Sequence, residues 1–124
     1  MANEITVQAR LTCKKGTYPP EFSKGVASRS FTQTGTNQSG GVQAIGTGAH
    51  EALGVADVGT AGWAWFLNTD TTNYVEIGFD TTGTFRVFLK LFPGEFAICP
   101  LGTNAPYAQA NTGSVDLEYG ILER

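Results

Sequence analysis

Charged residues are scarce in this chain. Asp, Glu, Lys and Arg make up 15% of it, whereas an ordinary soluble protein carries about 25%. The 8 basic and 11 acidic residues give a formal charge of −3 and are scattered, so no run of Lys or Arg can neutralise successive phosphates. Uncharged polar residues and glycine must cover the surface, and direct binding of nucleic acid is disfavoured.

Long apolar runs are also missing. None approaches the roughly 20 residues that a membrane-spanning helix requires. The start, MANEITVQAR, lacks a basic segment followed by an apolar core, which is the pattern of a signal peptide. We therefore expect no membrane association, no signal peptide and synthesis in a cytoplasm.

Cysteine and histidine, which supply many metal and catalytic sites, are nearly absent. Cys13 and Cys99 lie far apart and form no C-x-x-C pair. We expect two small, buried, reduced side chains, with a disulfide as the alternative if the first strand lies beside the strand that carries Cys99. The single histidine, His50, excludes a two-histidine metal site.

Catalysis through His50 would need a nucleophile. Ser28, Ser30 and Ser39 are candidates for a Ser-His-Asp arrangement, but none lies in a G-x-S-x-G pattern. The stretch GTNQSGG also lacks the spacing of a phosphate-binding loop. We therefore predict no catalytic, cofactor-binding or metal-binding residues, and rank a small hydrolase that uses His50 last among the alternatives.

Glycine and threonine are abundant, which favours turns and strands because glycine adopts positive φ and threonine fits a pleated surface. Apolar and polar residues alternate with the period of a strand in several segments. The clearest predicted strands cover residues 4–13, 63–68, 73–79, 84–91, 95–99 and 114–122, with shorter ones near 26–32, 42–46 and the sequence APYAQAN.

This pattern predicts one all-β domain over residues 1–124, an antiparallel β-sandwich with a flexible Gly/Thr/Ser-rich N-terminal half. Residues 1–14 would form a strand or arm, and residues 15–60 would be rich in loops. Residues 61–124 would form an antiparallel meander, because short polar turns separate their alternating runs.

Two Asp-Thr-Thr sequences, beginning at Asp70 and Asp80, stand where the alternation stops. An Asp side chain at such a position closes a turn by accepting backbone N–H bonds. An extended strand between the two would separate their α-carbons by roughly 30 Å, at about 3.3 Å per residue. We interpret both as turn formers that share no metal ion.

The sequence TFRVFLKLF is apolar on both faces, since Phe88 and Phe92 alternate with Arg86 and Lys90. A strand of this kind is buried within its own domain or against a partner. The unpaired edge of the first strand is a second adhesive feature. The candidate interface residues are Phe88, Phe92, Arg86, Ile5 and Val7.

Aromatic residues suggest an alternative function. Trp63, Trp65, Tyr74 and Tyr107 could form a sugar-stacking platform, as in carbohydrate-binding modules. However, the two tryptophans alternate with Ala64 in step with a strand whose apolar face needs filling, so we expect them in the core.

The sequence NYVEIGFDTTGTFRVFLKLFPGEFAICPLGTNAPYAQA, followed by VDLEYGILE, resembles a segment of small structural proteins of tailed-bacteriophage particles. The similar elements are a Tyr-Val-Glu-Ile-Gly strand, a Phe-Leu-Lys-Leu strand, a Pro-Gly-Glu turn and a terminal strand of alternating hydrophobic and acidic residues. The resemblance covers residues 63–123. It implies a virion subunit with a jelly-roll-like β-sandwich fold, either a capsid decoration (cement) protein or a tail or fibre component. Such a subunit would form a homo-oligomer, with a trimer favoured, or bind a major capsid or tail protein.

Overall fold

All the regular secondary structure in the described part of the chain is β-strand. The computed structural model describes residues 2–14, 22–102 and 105–124. The strands in these ranges are β1 (Ile5–Cys13), β2 (Phe22–Phe31), β3 (Gln38–Ile45), β4 (Glu51–Ala52), β5 (Ala61–Asn68), β6 (Val75–Thr81), β7 (Thr84–Leu91), β8 (Phe96–Pro100), β9 (Tyr107–Ala110) and β10 (Val115–Glu123). The predicted all-β class is confirmed, and the clearest predicted strands are present with ends shifted by one or two residues.

The region predicted to be rich in loops contains more strand than expected. Residues 15–21 lie outside the described ranges, but β2, β3 and β4 all fall between residues 15 and 60. Most residues of β2 and β3 are exposed. Serine, glycine and glutamine on such strands hide the apolar alternation by which a strand is recognised in a sequence.

The sequence predicts one domain, whereas the chain divides into two compact units, Met1–Thr34 and Gly35–Arg124. The first unit contains a two-stranded antiparallel ribbon of β1 and β2. Ile5 is buried and Val7 is half-buried, but the rest of β1 is exposed. Alternation therefore indicated the strand correctly, yet most of its apolar face is not covered.

The second unit consists of two four-stranded antiparallel sheets, with strand orders β3-β10-β5-β8 and β4-β9-β6-β7. Both sheets contribute to one hydrophobic core, which gives a β-sandwich-like arrangement. The buried members of this core are Ile45, Leu53, Val58, Ala61, Ala64, Phe66, Val75, Ile77, Leu91, Leu101, Ala108, Ala110, Val115, Leu117, Tyr119 and Ile121.

The predicted meander over residues 61–124 is wrong except for the hairpin of β6 and β7. Strand β5 pairs with β10 and β8, and its chain neighbour β6 lies in the other sheet. The polar segment after Asn68 therefore leads from one sheet to the other instead of closing a hairpin. Alternation indicates where a strand runs, but it carries no information about which strand lies beside it.

The predicted core position of the two tryptophans is also wrong. From Trp63 onward, β5 buries Ala64, Phe66 and Asn68 on one face, whereas Trp63 and Trp65 are half-buried on the opposite face. Both faces of β5 are apolar, and a shift of one residue exchanges the faces. The pattern alone could not decide which set faces the second sheet.

Asn68 links the two sheets at the end of β5 and has no exposed surface. Its Nδ2 donates to the carbonyl of Asn73 at 2.9 Å and to that of Leu91, the last residue of β7, at 3.0 Å. Its Oδ1 accepts the backbone N–H of Asp70 at 2.9 Å. The amide thus satisfies three backbone groups where the chain passes between the sheets.

Replacing Asn68 with leucine, which has a similar size, should lower the free energy of unfolding by at least about 2 kcal/mol, because the polar groups it satisfies would lose their partner. Urea unfolding followed by tryptophan fluorescence measures the change. The matched control is Gln38→Leu, which also removes an amide but at an exposed strand position. Equal stability losses in the two variants would contradict the proposed linking role of Asn68.

Candidate functional site

His50 and Asp80 form a close polar pair in the second unit. His50 directly precedes β4, and Asp80 is the next-to-last residue of β6. The distance from His50 Nε2 to Asp80 Oδ2 is 2.7 Å. The imidazole stacks nearly parallel on the ring of Phe85 at a centroid distance of 5.1 Å, and the Tyr107 ring lies 5.5 Å away. Because Phe85 pairs with Asp80 across β6 and β7, the register of this hairpin builds the site.

Asp80 also closes the turn between β6 and β7, as the sequence predicted. Its Oδ1 accepts the backbone N–H of Gly83 at 2.8 Å. The hydrogen bond from His50 and then the one from Gly83 lower the pKa of the Asp80 carboxyl from its usual value. The turn role could be inferred from the local sequence, but the pairing with His50 joins residues far apart in the chain and had no local signal.

Asp70 is the other predicted turn former, and its contacts confirm that role. Its Oδ2 accepts the backbone N–H groups of Thr72 at 2.8 Å and Asn73 at 2.5 Å. The bond from Asn73 and then the one from Thr72 lower the pKa of the Asp70 carboxyl. This carboxylate is therefore occupied by the turn that follows β5.

None of the three serines considered for a catalytic arrangement hydrogen-bonds to His50 in the described part of the chain. Ser39 Oγ donates instead to the carbonyl of Gly54 at 2.9 Å, while Ser28 and Ser30 lie in β2 of the other unit. The His50–Asp80 pair is held between aromatic rings and a turn. This arrangement fits a link between the segment before β4 and the β6–β7 hairpin.

Among residues 2–14, 22–102 and 105–124, no three His, Cys, Asp or Glu side chains come together as ligands for a metal ion. Those same residues include no helix that is long and apolar enough to cross a membrane.

Both cysteines are free thiols, but they are less buried than predicted. Cys13 is exposed and Cys99 is half-buried. Burial raises the pKa of the Cys99 thiol. The alternation of β1 suggested that Cys13 is buried. Most of the strand is exposed, however, and Cys13 is exposed with it.

The outer face of the sheet β3-β10-β5-β8 is rich in large apolar side chains, and we call it the tryptophan face. Trp65 pairs with Ile98 across β5 and β8, and its ring stacks on that of Phe96 at 5.3 Å. Trp65 Nε1 also donates to Glu118 Oε2 at 2.8 Å. The outward residues that define the face are Val42, Trp63, Trp65, Leu67, Phe96, Ile98, Asp116, Glu118 and Leu122.

The four aromatic residues proposed as a sugar platform do not form one surface. Trp63 and Trp65 belong to the tryptophan face, whereas Tyr107 lies in β9 of the other sheet and contacts His50. Tyr74 precedes β6, and Lys90 Nζ lies 4.0 Å from the centre of its ring. The structure thus separates a tryptophan pair from two independent tyrosines.

The candidate interface residues on β7 and directly after it are exposed. Phe88 and Phe92 are 43% and 49% exposed, and Arg86 is exposed as well. Strand β7 does not alternate regularly, because Ile77 pairs with Leu89 and the next pair is Gly78 with Val87, which leaves Phe88 in a β-bulge. Phe88 stacks on Phe79 with ring centres 5.1 Å apart.

The two candidates on the first strand differ from those on β7. Ile5 is buried and Val7 is half-buried, so neither is a large exposed apolar residue. Other apolar side chains are more accessible, and the sequence did not indicate them because alternation does not reveal which apolar face remains exposed. The additional exposed large apolar residues are Leu11, Phe22, Phe31, Val42, Val87, Phe96 and Ile98.

Comparisons with protein-family models, with curated proteins and with solved structures gave no match to this chain. The resemblance to phage structural proteins therefore remains a hypothesis that depends on the residues quoted for it.

Acid should destabilise the fold in part through Asp80. A carboxyl whose pKa is lowered by folding stabilises the protein above its unfolded pKa of about 3.9, and this contribution is lost as the pH falls through the folded value. Asp80→Asn should therefore lower the thermal midpoint at neutral pH and make its decline in acid less steep. Circular dichroism melts from neutral to acidic pH measure this. Asp57→Asn, at an exposed position, should keep the wild-type profile, and an identical profile for both variants would contradict the role of Asp80.

Proposed function

We propose that this chain is a non-enzymatic structural subunit of a virion, either a capsid decoration (cement) protein or a tail-associated component, that assembles through its exposed sheet surfaces. The observation that carries the proposal is the set of large apolar side chains left exposed on β1, β2, β3, β7 and β8. Soluble monomers rarely expose contiguous apolar patches, and such patches often mark surfaces that bind another protein.

The strand order supports a jelly roll for residues 35–124. A jelly roll contains eight strands in two sheets formed by two Greek keys. In this unit β3 pairs with β10, β4 with β9, β5 with β8, and β6 with β7. These nested pairs are what results when one long hairpin of β3–β6 against β7–β10 is rolled into two sheets. Viral capsid domains and lectins are among the proteins that use this architecture, which agrees with the virion proposal.

The sheet edges also favour assembly. Strands β3, β8, β4 and β7 end their sheets, and an edge strand presents backbone groups that can pair with another chain. Of these, β3 and β7 each extend over 8 residues. We expect such edges to be covered in a homo-oligomer, with a trimer favoured, or by a major capsid or tail protein. Synthesis in the host cytoplasm would precede this assembly.

Carbohydrate binding is the second candidate, and the outward position of the tryptophans favours it. Trp63 and Trp65 are half-buried on a sheet face, and the bond to Glu118 holds the Trp65 ring in place. A fixed aromatic ring offers an apolar surface at low entropic cost, and lectins include jelly rolls.

The assembly proposal predicts an oligomer in solution. The wild-type chain should associate in light scattering measured during size-exclusion chromatography, with an interface of at least about 800 Å² per subunit. Phe88→Asp should weaken association at least about tenfold, because burying an unpaired charge costs several kcal/mol. Thr84→Asp, at an exposed position of the same strand, is the matched control.

Two results would count against this prediction. If Phe88→Asp folds and assembles like the wild type, the Phe88 surface is not the interface. If the wild-type chain stays monomeric at high concentration and does not bind particles, the structural proposal fails.

The carbohydrate alternative predicts that a polysaccharide retards the protein in affinity electrophoresis and that Trp63→Ala abolishes the retardation. Tyr107→Phe should keep it, since Tyr107 lies outside the tryptophan face. Absence of retardation across a panel of neutral and acidic polysaccharides would remove this candidate.

A further inference from the structure

The ribbon formed by β1 and β2 has one apolar face and one polar face. Its register places Leu11 opposite Lys24, and Cys13 opposite Phe22. Cross-strand partners in an antiparallel pair lie on the same face of the sheet, so we call this side the apolar ribbon face. Its members are Ile5, Val7, Ala9, Leu11, Cys13, Phe22, Lys24, Val26, Arg29 and Phe31.

Most of this face is accessible in the single chain. Leu11 is 65% exposed and Phe22 is 48% exposed. A two-stranded hairpin alone is marginally stable in water, because it needs a further strand or packed layer to bury its apolar side. The ribbon therefore has an apolar surface on which a partner could pack, and such packing would stabilise it.

The two units carry opposite charge, and this indicates what the partner is. Residues 1–34 contain five basic and two acidic residues, whereas residues 35–124 contain three basic and nine acidic residues. Lys24 and Arg29 stand on the apolar ribbon face, opposite Leu11 and Val7. A surface that suits this face should combine apolar side chains with carboxylates.

The tryptophan face has this composition. The strands that form it, β3, β10, β5 and β8, contain no Lys or Arg. Asp116 and Glu118 occupy outward positions on β10, opposite Ala44 and Val42 of β3. The face thus offers apolar area together with negative charge.

We propose that the apolar ribbon face of one copy packs on the tryptophan face of a second copy, with Lys24 and Arg29 beside Asp116 and Glu118. The copies would exchange their ribbons in a closed homo-oligomer. The occupant is a second copy because the same sequence supplies both the basic ribbon and the acidic face. This inference rests on the proposed assembly function and assigns the contact that drives it.

A charge-swap experiment tests the proposal. In one variant, Lys24→Glu and Arg29→Glu make the ribbon acidic; in the other, Asp116→Lys and Glu118→Lys make the tryptophan face basic. Each variant alone should dissociate at least about tenfold more readily than the wild type, because like charges would meet at the contact. An equimolar mixture should associate more readily than either variant alone, since a ribbon of one variant then finds a face of opposite charge on the other variant.

Arg10→Glu provides the matched control. It reverses one ribbon charge, but Arg10 pairs with Gly25 on the polar face of the ribbon, so association should stay within about twofold of the wild type. Analytical ultracentrifugation of all variants, at low and high salt, measures the dissociation constants. Salt should weaken the wild-type contact, because it screens the charge pairs.

A second measurement uses the wild-type chain and does not depend on how the variants fold. Copies labelled with ¹⁵N are mixed with unlabelled copies and treated with a carbodiimide, which joins a lysine amine to a carboxylate without a spacer. The proposal predicts a link from Lys24 to Asp116 or Glu118 in peptides of mixed isotope content.

The outcomes separate this inference from the proposed function. If the wild type is an oligomer but neither charge-reversed variant dissociates and no mixed link forms, the ribbon contact is wrong and assembly stands. If links from Lys24 occur only within one copy, the exchange is overturned. If the wild type is a monomer that binds no particle, both proposals fail.

Discussion

The side chain of Asn68 is the constraint on which the second unit depends. Its amide reaches the last residue of β7 in the opposite sheet and closes the turn that follows β5. Its backbone N–H donates to the carbonyl of Glu95, and its carbonyl accepts the N–H of Gly94. Both partners lie in the turn before β8. A buried amide that meets all its partners fixes one register, because any shift would bury unsatisfied groups. With Asn68 inward, Ala64 and Phe66 also face inward and the tryptophans face outward.

The surfaces that we propose for assembly are related to that register. An outward tryptophan pair beside Phe96 and Ile98 leaves an apolar face on a sheet that already has a complete core on its other side. The ribbon of β1 and β2 has a second exposed apolar face. The molecule therefore has two exposed apolar surfaces of opposite charge. Its one histidine stacks on Phe85 and binds the turn carboxylate Asp80. The distribution of apolar area thus favours assembly over catalysis as the proposed function.

Much of the local structure could be predicted from the sequence, because the signals involved are local. Alternating residues gave the positions of β5 to β8 and β10, and Asp70 and Asp80 were correctly interpreted as turn residues. The candidate site was predicted less well. Phe88 and Phe92 are exposed, and their role in an interface stays a prediction. The outward tryptophans and the His50–Asp80 pair depend on contacts between distant segments.

The sequence by itself determined the β class, the approximate positions of the clearest strands and the turn chemistry, since each depends on residues within a few positions of one another. Only the tertiary structure decided which strands are neighbours, which face of β5 is inside and which apolar face of the chain is uncovered. The strand β5 shows the reason: with apolar residues on both sides, its local pattern fits either orientation. The opposing sheet, through the hydrogen bonds of Asn68 and the space available to Phe66, selects one of the two.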